Sequence, residues 1–147
     1  MAKNTGQTET VDQVLDSNLE SVDSAEALAL AVAQRAGFDE EELHKIAMAV
    51  REGMVNAVAH GNRYNAHKKV RFSVSKTPER FTMTIADQGE GFEESDLPDP
   101  LAEENLLRQS GRGIFLMRAF MDEFHVRRLN SMGGGTEITL IKYLGSK

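Results

Sequence analysis

Three stretches of the 147-residue chain place polar groups where chemistry could be done. In the first, Glu52, Asn56 and His60 recur at intervals of four within DEEELHKIAMAVREGMVNAVAHG, so a helix would stack them along one face. Their neighbours Met48, Ala49, Gly53, Val55 and Ala59 are apolar or small, where a wetted face would carry Lys, Glu and Gln. Isolated polar groups among small residues describe the wall of a pocket. A carboxylate one turn from an amide can set a general base beside a metal or phosphate ligand. A helix–helix hydrogen bond explains the same pair without chemistry. His60, next to Gly61, reads as a helix-end group that bonds a carbonyl.

The second stretch is Asp87-Gln88-Gly89-Glu90-Gly91, which follows the alternation Phe81, Met83, Ile85. Asp87 shares the parity of Ile85, so the acid points toward the layer where helices pack, and a buried acid requires partners. It can accept from an exocyclic amine such as that of adenine, and the glycines let a flat ligand approach the backbone. A plain turn explains those glycines equally well. The third stretch, Ser110-Gly111-Arg112-Gly113-Ile114, opens a helix. Bare N–H groups and the helix dipole there form a phosphate cradle, to which Arg108 or Arg112 adds charge; the bland alternative is a loop-to-helix joint. It matches neither the G-x-x-x-x-G-K-[ST] loop nor G-x-G-x-x-G after a strand. Gly133-Gly134-Gly135 lies between strands and reads as a hairpin turn. Thr136, on the parity of Ile138 and Leu140, can reach the pocket floor beside Asp87.

The elements that must position these groups follow from periodicity. A helix over 39–61 opens on a capping box, Asp39 with Glu42, and buries Leu43, Ile46, Ala47, Val50, Met54, Ala57 and Val58. Before it, residues 1–10 are polar and expected to fray, and 11–15 form a short edge strand. A helix over 21–36 carries the stripe Val22, Ala25, Ala29, Val32, Ala36 and ends at Gly37. Strands over 69–75 and 80–87 form a hairpin. Residues 88–111 read as a lid with a helical turn near 102–107. A helix over 112–120, burying Ile114, Phe115, Met117 and Met121, precedes strands over 124–129 and 136–144. The order predicts one α+β domain over 11–147, a two-layer sandwich whose mostly antiparallel mixed sheet is covered on one face by helices.

Seventeen basic against 23 acidic residues give a net charge of −6, which disfavours nucleic-acid binding. The doublets Arg127-Arg128 and Lys68-Lys69 read as a solvated strand face. The absence of cysteine excludes disulfides and thiolate metal sites. No apolar run approaches the roughly 20 residues of a membrane span, and no signal peptide opens the chain. The expectation is a soluble cytoplasmic protein without membrane partners.

Taken in this order, the motifs resemble the Bergerat-fold (GHKL/HATPase) ATPases. The chain looks most like the anti-sigma-factor serine/threonine kinases of the RsbW and SpoIIAB kind. The likeness runs from about residue 11 to 144 and is closest in AVREGMVNAVAHGN, ADQGEGF, LPDPLAEENLL and SGRGIFLMRAFMDE. The resemblance implies ATP and Mg²⁺ as cofactors, Glu52 as general base for a partner's Ser or Thr hydroxyl, and Asn56 as the Mg²⁺ ligand. It implies that Asp87 accepts from the adenine amino group, that Gly89 and Gly91 shape that pocket with help from Thr136, and that Gly111, Arg112 and Gly113 enclose the phosphates. It further implies a STAS-domain anti-anti-sigma partner, a sigma factor, and a homodimer as a common assembly. Gln109 departs from the arginine that sporulation-type members carry, so either Arg108 or Arg112 would meet the γ-phosphate. A nucleotide-gated binding module without phosphotransfer is the alternative. A histidine-kinase catalytic domain would need a phosphoacceptor His on a dimerisation helix, whereas His44, His67 and His125 lie in the framework.

Overall fold

The computed structural model describes residues 8–89, 109–129 and 134–144, with 109–113 as backbone. In chain order the elements are β1 (Glu9–Asp16), α1 (Glu20–Ala36), α2 (Glu40–Val55), a π turn (Asn56–Gly61), β2 (Lys69–Lys76) and β3 (Arg80–Ala86). Then come α3 (Gln109–Phe120), β4 (Glu123–Arg128) and β5 (Thr136–Tyr143). The five strands lie in the order β1-β2-β3-β5-β4. Every neighbouring pair among them is antiparallel, so the mixed character expected of the sheet is absent among the described residues. The β3–β4 connection carries α3 across a face, and β5 then returns between its two predecessors.

One face of the sheet supplies the core. Val70, Phe72, Val74, Phe81, Met83, Ile85 and Leu140 are buried against Val22, Ala25, Ala29 and Val32 of α1 and Ile46, Val50 and Met54 of α2. The alanines of α1 lack bulk, which allows α1 and α2 to lie close to one another. On β1, Val11 and Leu15 pack against this core while Val14 is exposed on the uncovered face.

Several boundaries differ from the periodicity reading. β1 begins at Glu9 instead of fraying to residue 10, because Arg35 at the end of α1 clamps the Glu9 carboxylate through Nε at 2.9 Å and Nη2 at 2.5 Å. The capping box is half formed. Asp39 Oδ1 accepts from Glu42 N at 2.9 Å, but the Glu42 carboxylate turns away to the Lys142 ammonium, 2.7 Å distant. α3 starts at Gln109, so Gly111 and Gly113 lie within its first turns and not ahead of them. Phe115 is half-buried, while Ile114, Met117 and Met121 are core.

The largest difference concerns the second helix. It is α-helical only to Val55, and its last residues, Asn56–Gly61, widen into a π turn. Asn62 N donates to Ala57 O at 2.8 Å, five residues back. The wider turn is stabilised from outside, since the Asn62 side chain is anchored to the strands and holds its amide there. Ala49 and Gly53, read as pocket lining, are buried. The bare Cα of Gly53 lies against Ile85 and Met117, so that side of α2 receives β3 and α3.

Candidate nucleotide-binding site

The site gathers at the end of the sheet where β3 finishes and β5 begins. Asp87 is 8% exposed and sits one residue beyond β3, on the inward parity expected of it. Its backbone N–H donates to Thr136 O at 2.9 Å, and its Oδ1 accepts from Thr136 N at 3.1 Å and Gly89 N at 2.9 Å. Burial pushes the Asp87 carboxyl above the ordinary carboxylate range; the Gly89 and Thr136 amides, and more weakly the charge of Lys68, pull it back. No described cation pairs with Asp87 directly. One oxygen is thus spent on the fold, and Oδ2 faces Gly61.

Two glycines permit this approach. A methyl on Gly61 would strike the Asp87 carboxylate. Gly135, at φ 110°, lies on the Asp87 carbonyl, where a side chain would be both strained and excluded. The turn read as a plain hairpin therefore also walls the acid. It closes the hairpin as expected, through Leu129 N to Gly135 O at 2.9 Å.

Glu52 and Asn56 stand on the last turn of α2 and the first position of the π turn. Gly53 touches Ile85 and Gly61 touches Asp87, so this segment travels along the end of β3 toward the acid. Both side chains are half-buried, and among the described residues neither has a hydrogen-bond or ion-pair partner. His60 is exposed. The π turn closes on the fifth residue, so the regular four-residue stacking does not extend from Asn56 to His60.

The N-terminus of α3 reaches the same end. Its C-terminus, at Phe120, meets Lys142 near the start of α2, and Met117 meets Gly53. α3 is therefore antiparallel to α2, and Gly111, Arg112 and Gly113 begin it on the Asp87 side. The side chain of Arg112, and Arg108 and Gly91 altogether, lie outside what is described. So do the lid and the helical turn expected at 102–107.

Residues the pattern did not single out complete the site. A cavity of about 200 Å³ is lined by Gly61, Asn62, Arg63, Asn65, Lys68 and Gly89. Arg63 and Tyr64 adopt left-handed backbone at φ 53° and 58° as the chain leaves the π turn. Asn62 is 1% exposed; from sequence it reads as a helix stop, and no periodicity signals its burial.

The residues present suit Mg²⁺. Among the described residues no three His, Cys, Asp or Glu converge into a cage for a metal. Mg²⁺ characteristically keeps its waters and takes few protein ligands alongside substrate phosphates, and the half-buried, uncommitted Asn56 amide would offer one such oxygen.

Known proteins resemble this chain in sequence and in fold. Residues 15–142 match the histidine kinase-like ATPase domain family. Anti-sigma F factors of Bacillus thuringiensis (strain Al Hakam) and Bacillus mycoides (strain KBAB4) are each 37% identical over 108 residues, 72% of this chain and 73% of theirs. The crystal structure of the RsbU and RsbW domains of a Mycobacterium tuberculosis protein is similar in fold, with a TM-score of 0.63 at 17% identity. That likeness covers 95% of this chain and 34% of the other, so the chain spans about a third of that protein's length. The match over most of its length, together with these relatives, establishes that the chain belongs to the histidine kinase-like (GHKL) ATPase domain family, on the branch of the anti-sigma factor kinases.

Proposed function

We propose that the chain is an ATP-dependent serine/threonine protein kinase that acts as an anti-sigma factor. It phosphorylates a STAS-domain anti-anti-sigma partner and sequesters a sigma factor. The observation that supports this reading most is the buried Asp87, whose Oδ1 is held by two backbone amides while Oδ2 has no hydrogen-bond partner among the described residues. An acceptor so fixed suits the exocyclic amine of adenine. The relatives' description as anti-sigma F factors supports the sigma-factor partner.

In this reading Asp87 receives the adenine amine, Gly89 and Gly91 flank the base, and Thr136 braces the acid. Gly111, Arg112 and Gly113 surround the phosphates at the start of α3, where bare N–H groups and the helix dipole favour anions. Asn56 would hold Mg²⁺, which when bound would supply charge neutralisation to the phosphoryl group. Glu52 orients the partner's hydroxyl and takes its proton as the oxygen bonds to the γ-phosphorus and ADP leaves. Positioning and charge dominate such transfers, which is why one carboxylate a turn from the metal ligand suffices. The proposed compartment is the cytoplasm and the proposed assembly a homodimer; no described helix is long and apolar enough to cross a membrane.

The test is transfer from γ-labelled ATP to a STAS-domain protein. Glu52→Ala should retain Mg·ATP binding by calorimetry and lose phosphotransfer by at least about 10²-fold, the usual worth of a positioned base. Asn56→Ala should lose both. Undiminished transfer in Glu52→Ala removes the base assignment. Binding without transfer in the wild-type chain leaves a nucleotide-gated module instead.

A further inference from the structure

Asn62 makes more hydrogen bonds than a helix stop requires. Its Nδ2 donates to Ser17 Oγ at 2.9 Å and to Lys69 O at 3.1 Å. Its Oδ1 accepts from Gln88 N at 2.7 Å, and its own N–H closes the π turn on Ala57 O. Ser17 Oγ in turn donates to Lys68 O, and Gln88 Oε1 accepts from Lys69 N at 2.6 Å. One buried amide thereby joins the end of β1, the π turn, the start of β2 and the residue after Asp87.

Two of these bonds act on the base-recognising acid from opposite sides. Through the chain, Asn62 fixes Gly61, whose bare Cα lies against the Asp87 carboxylate. Through Oδ1 it fixes Gln88, the link between Asp87 and Gly89, and Gly89 packs against the Gly61 carbonyl and donates to Asp87 Oδ1. The approach of Gly89 to Gly61 is thus set by the bonds of one side chain, whose residue lines the cavity that both glycines share. Without it, Gln88 N–H loses its acceptor in a partly buried setting, which favours a shift of the 88–89 backbone.

We infer that Asn62 is a positioning residue for base discrimination: it holds Gly61 and Gln88 so that Asp87 Oδ2 meets an exocyclic amine and excludes a ring carbonyl. The inference rests on the ATP-site reading above. A purine with an amine at that position donates to the oxygen, whereas guanine presents O6, and two acceptors facing each other across a fixed gap repel. Discrimination of this kind requires the gap to stay fixed; a mobile acid would let water or a shifted base relieve the repulsion.

The test is calorimetric binding of Mg·ATP and Mg·GTP to the full chain. The wild type should prefer ATP by at least about 10²-fold, and Asn62→Ala should lower that ratio at least tenfold. Ser17→Ala severs the same network on the β1 side and should lower the melting temperature while keeping the ratio within about threefold. A general loss of stability would move both variants alike. The wild-type chain alone covers a variant that does not fold: amide exchange at Gln88 should slow further with Mg·ATP and not with Mg·GTP. An unchanged ATP:GTP ratio in folded Asn62→Ala, or Gln88 exchange indifferent to Mg·ATP, overturns the role of Asn62 alone. A wild-type chain that binds neither nucleotide overturns the ATP-site reading beneath it.

Discussion

At the end of the sheet where β5 finishes, Lys142 is 8% exposed, with its ammonium 2.7 Å from the Glu42 carboxylate and 3.1 Å from the Phe120 carbonyl. At the end where β5 begins, Asp87 is equally buried, yet it receives only backbone amides and has no ion-pair partner among the described residues. Charge is therefore closed off at one end and kept available at the other. The far end also holds the larger cavity, about 630 Å³ against about 200 Å³ near Asp87. Among the described residues, the unspent hydrogen-bonding capacity of a buried acid, and not cavity volume, marks the proposed site. Lys142 binds the C-terminus of α3 to the start of α2 and so fixes the antiparallel pair whose other ends carry the proposed reactive groups.

The change that should break this contrast most sharply is Asp87→Asn. The amide oxygen can still accept from Gly89 and Thr136, but an NH₂ replaces Oδ2 and opposes the adenine amine. Mg·ATP affinity should fall by at least about 10³-fold by calorimetry, the penalty of a mismatched buried hydrogen bond. The fold should persist. Because burial raises the Asp87 carboxyl above its ordinary value, its contribution to stability is full below the unfolded carboxylate range. That contribution is lost as pH rises through the raised folded value. At neutral pH the variant should accordingly melt no lower than the wild type. Any advantage should shrink as pH falls through the folded value of Asp87. A variant that melts lower at neutral pH would show that the carboxylate serves the fold instead of a ligand.

At the closed end the effect should fall on stability. Glu42→Ala leaves the Lys142 ammonium buried with only a carbonyl, at a cost of about 3 kcal/mol in urea unfolding. Lys142→Met removes the charge and leaves Glu42, a third exposed, free to rehydrate, which costs about 1 kcal/mol. In both, Mg·ATP affinity of the folded chain should stay within about threefold. A larger loss would mean that the clasp sets the helix positions finely enough to belong to the site.

The open end was partly legible in the sequence, and the closed end hardly at all. The inward parity of Asp87 follows from the alternation Phe81, Met83, Ile85, and all three are buried as that alternation requires. The stripe of α1 and its stop at Gly37 follow from period and glycine, and Gly37 adopts φ 98° as a helix-ending residue. Asn62, Ser17 and Gln88 were not legible, because the bonds that join them span 7 to 51 positions of sequence and no local period records them. The π turn escaped for the same reason. Asn56–Gly61 satisfies an α-helical pattern, and only the anchoring of Asn62 to strands selects the wider turn. Lys142 shares the inward parity of Ile138 and Leu140, but no local pattern names a partner for a buried lysine. Its burial is decided by Glu42, a hundred residues earlier, whose own capping role the ion pair supplants.

Between the two ends lies a charge cluster that should matter to neither. Arg51, one residue before Glu52, reaches from α2 to α1 and contacts Asp23 at 2.9 Å and Glu26 at 2.5 Å. Arg51 is 45% and Asp23 73% exposed, so water already solvates these charges and the side chains lose rotamer freedom when they meet. Arg51→Ala should change unfolding free energy by no more than about 1 kcal/mol, less at high salt, and Mg·ATP affinity by less than about twofold. The second figure is the sharper one. Gly53 and Ala49 lock the buried side of α2 against β3 and α3, so loosening its outer side toward α1 should not shift Glu52 or Asn56. A tenfold loss of affinity in Arg51→Ala would mean that α1 holds the proposed catalytic wall in place, and that the availability of charge at the open end depends on the whole helical layer.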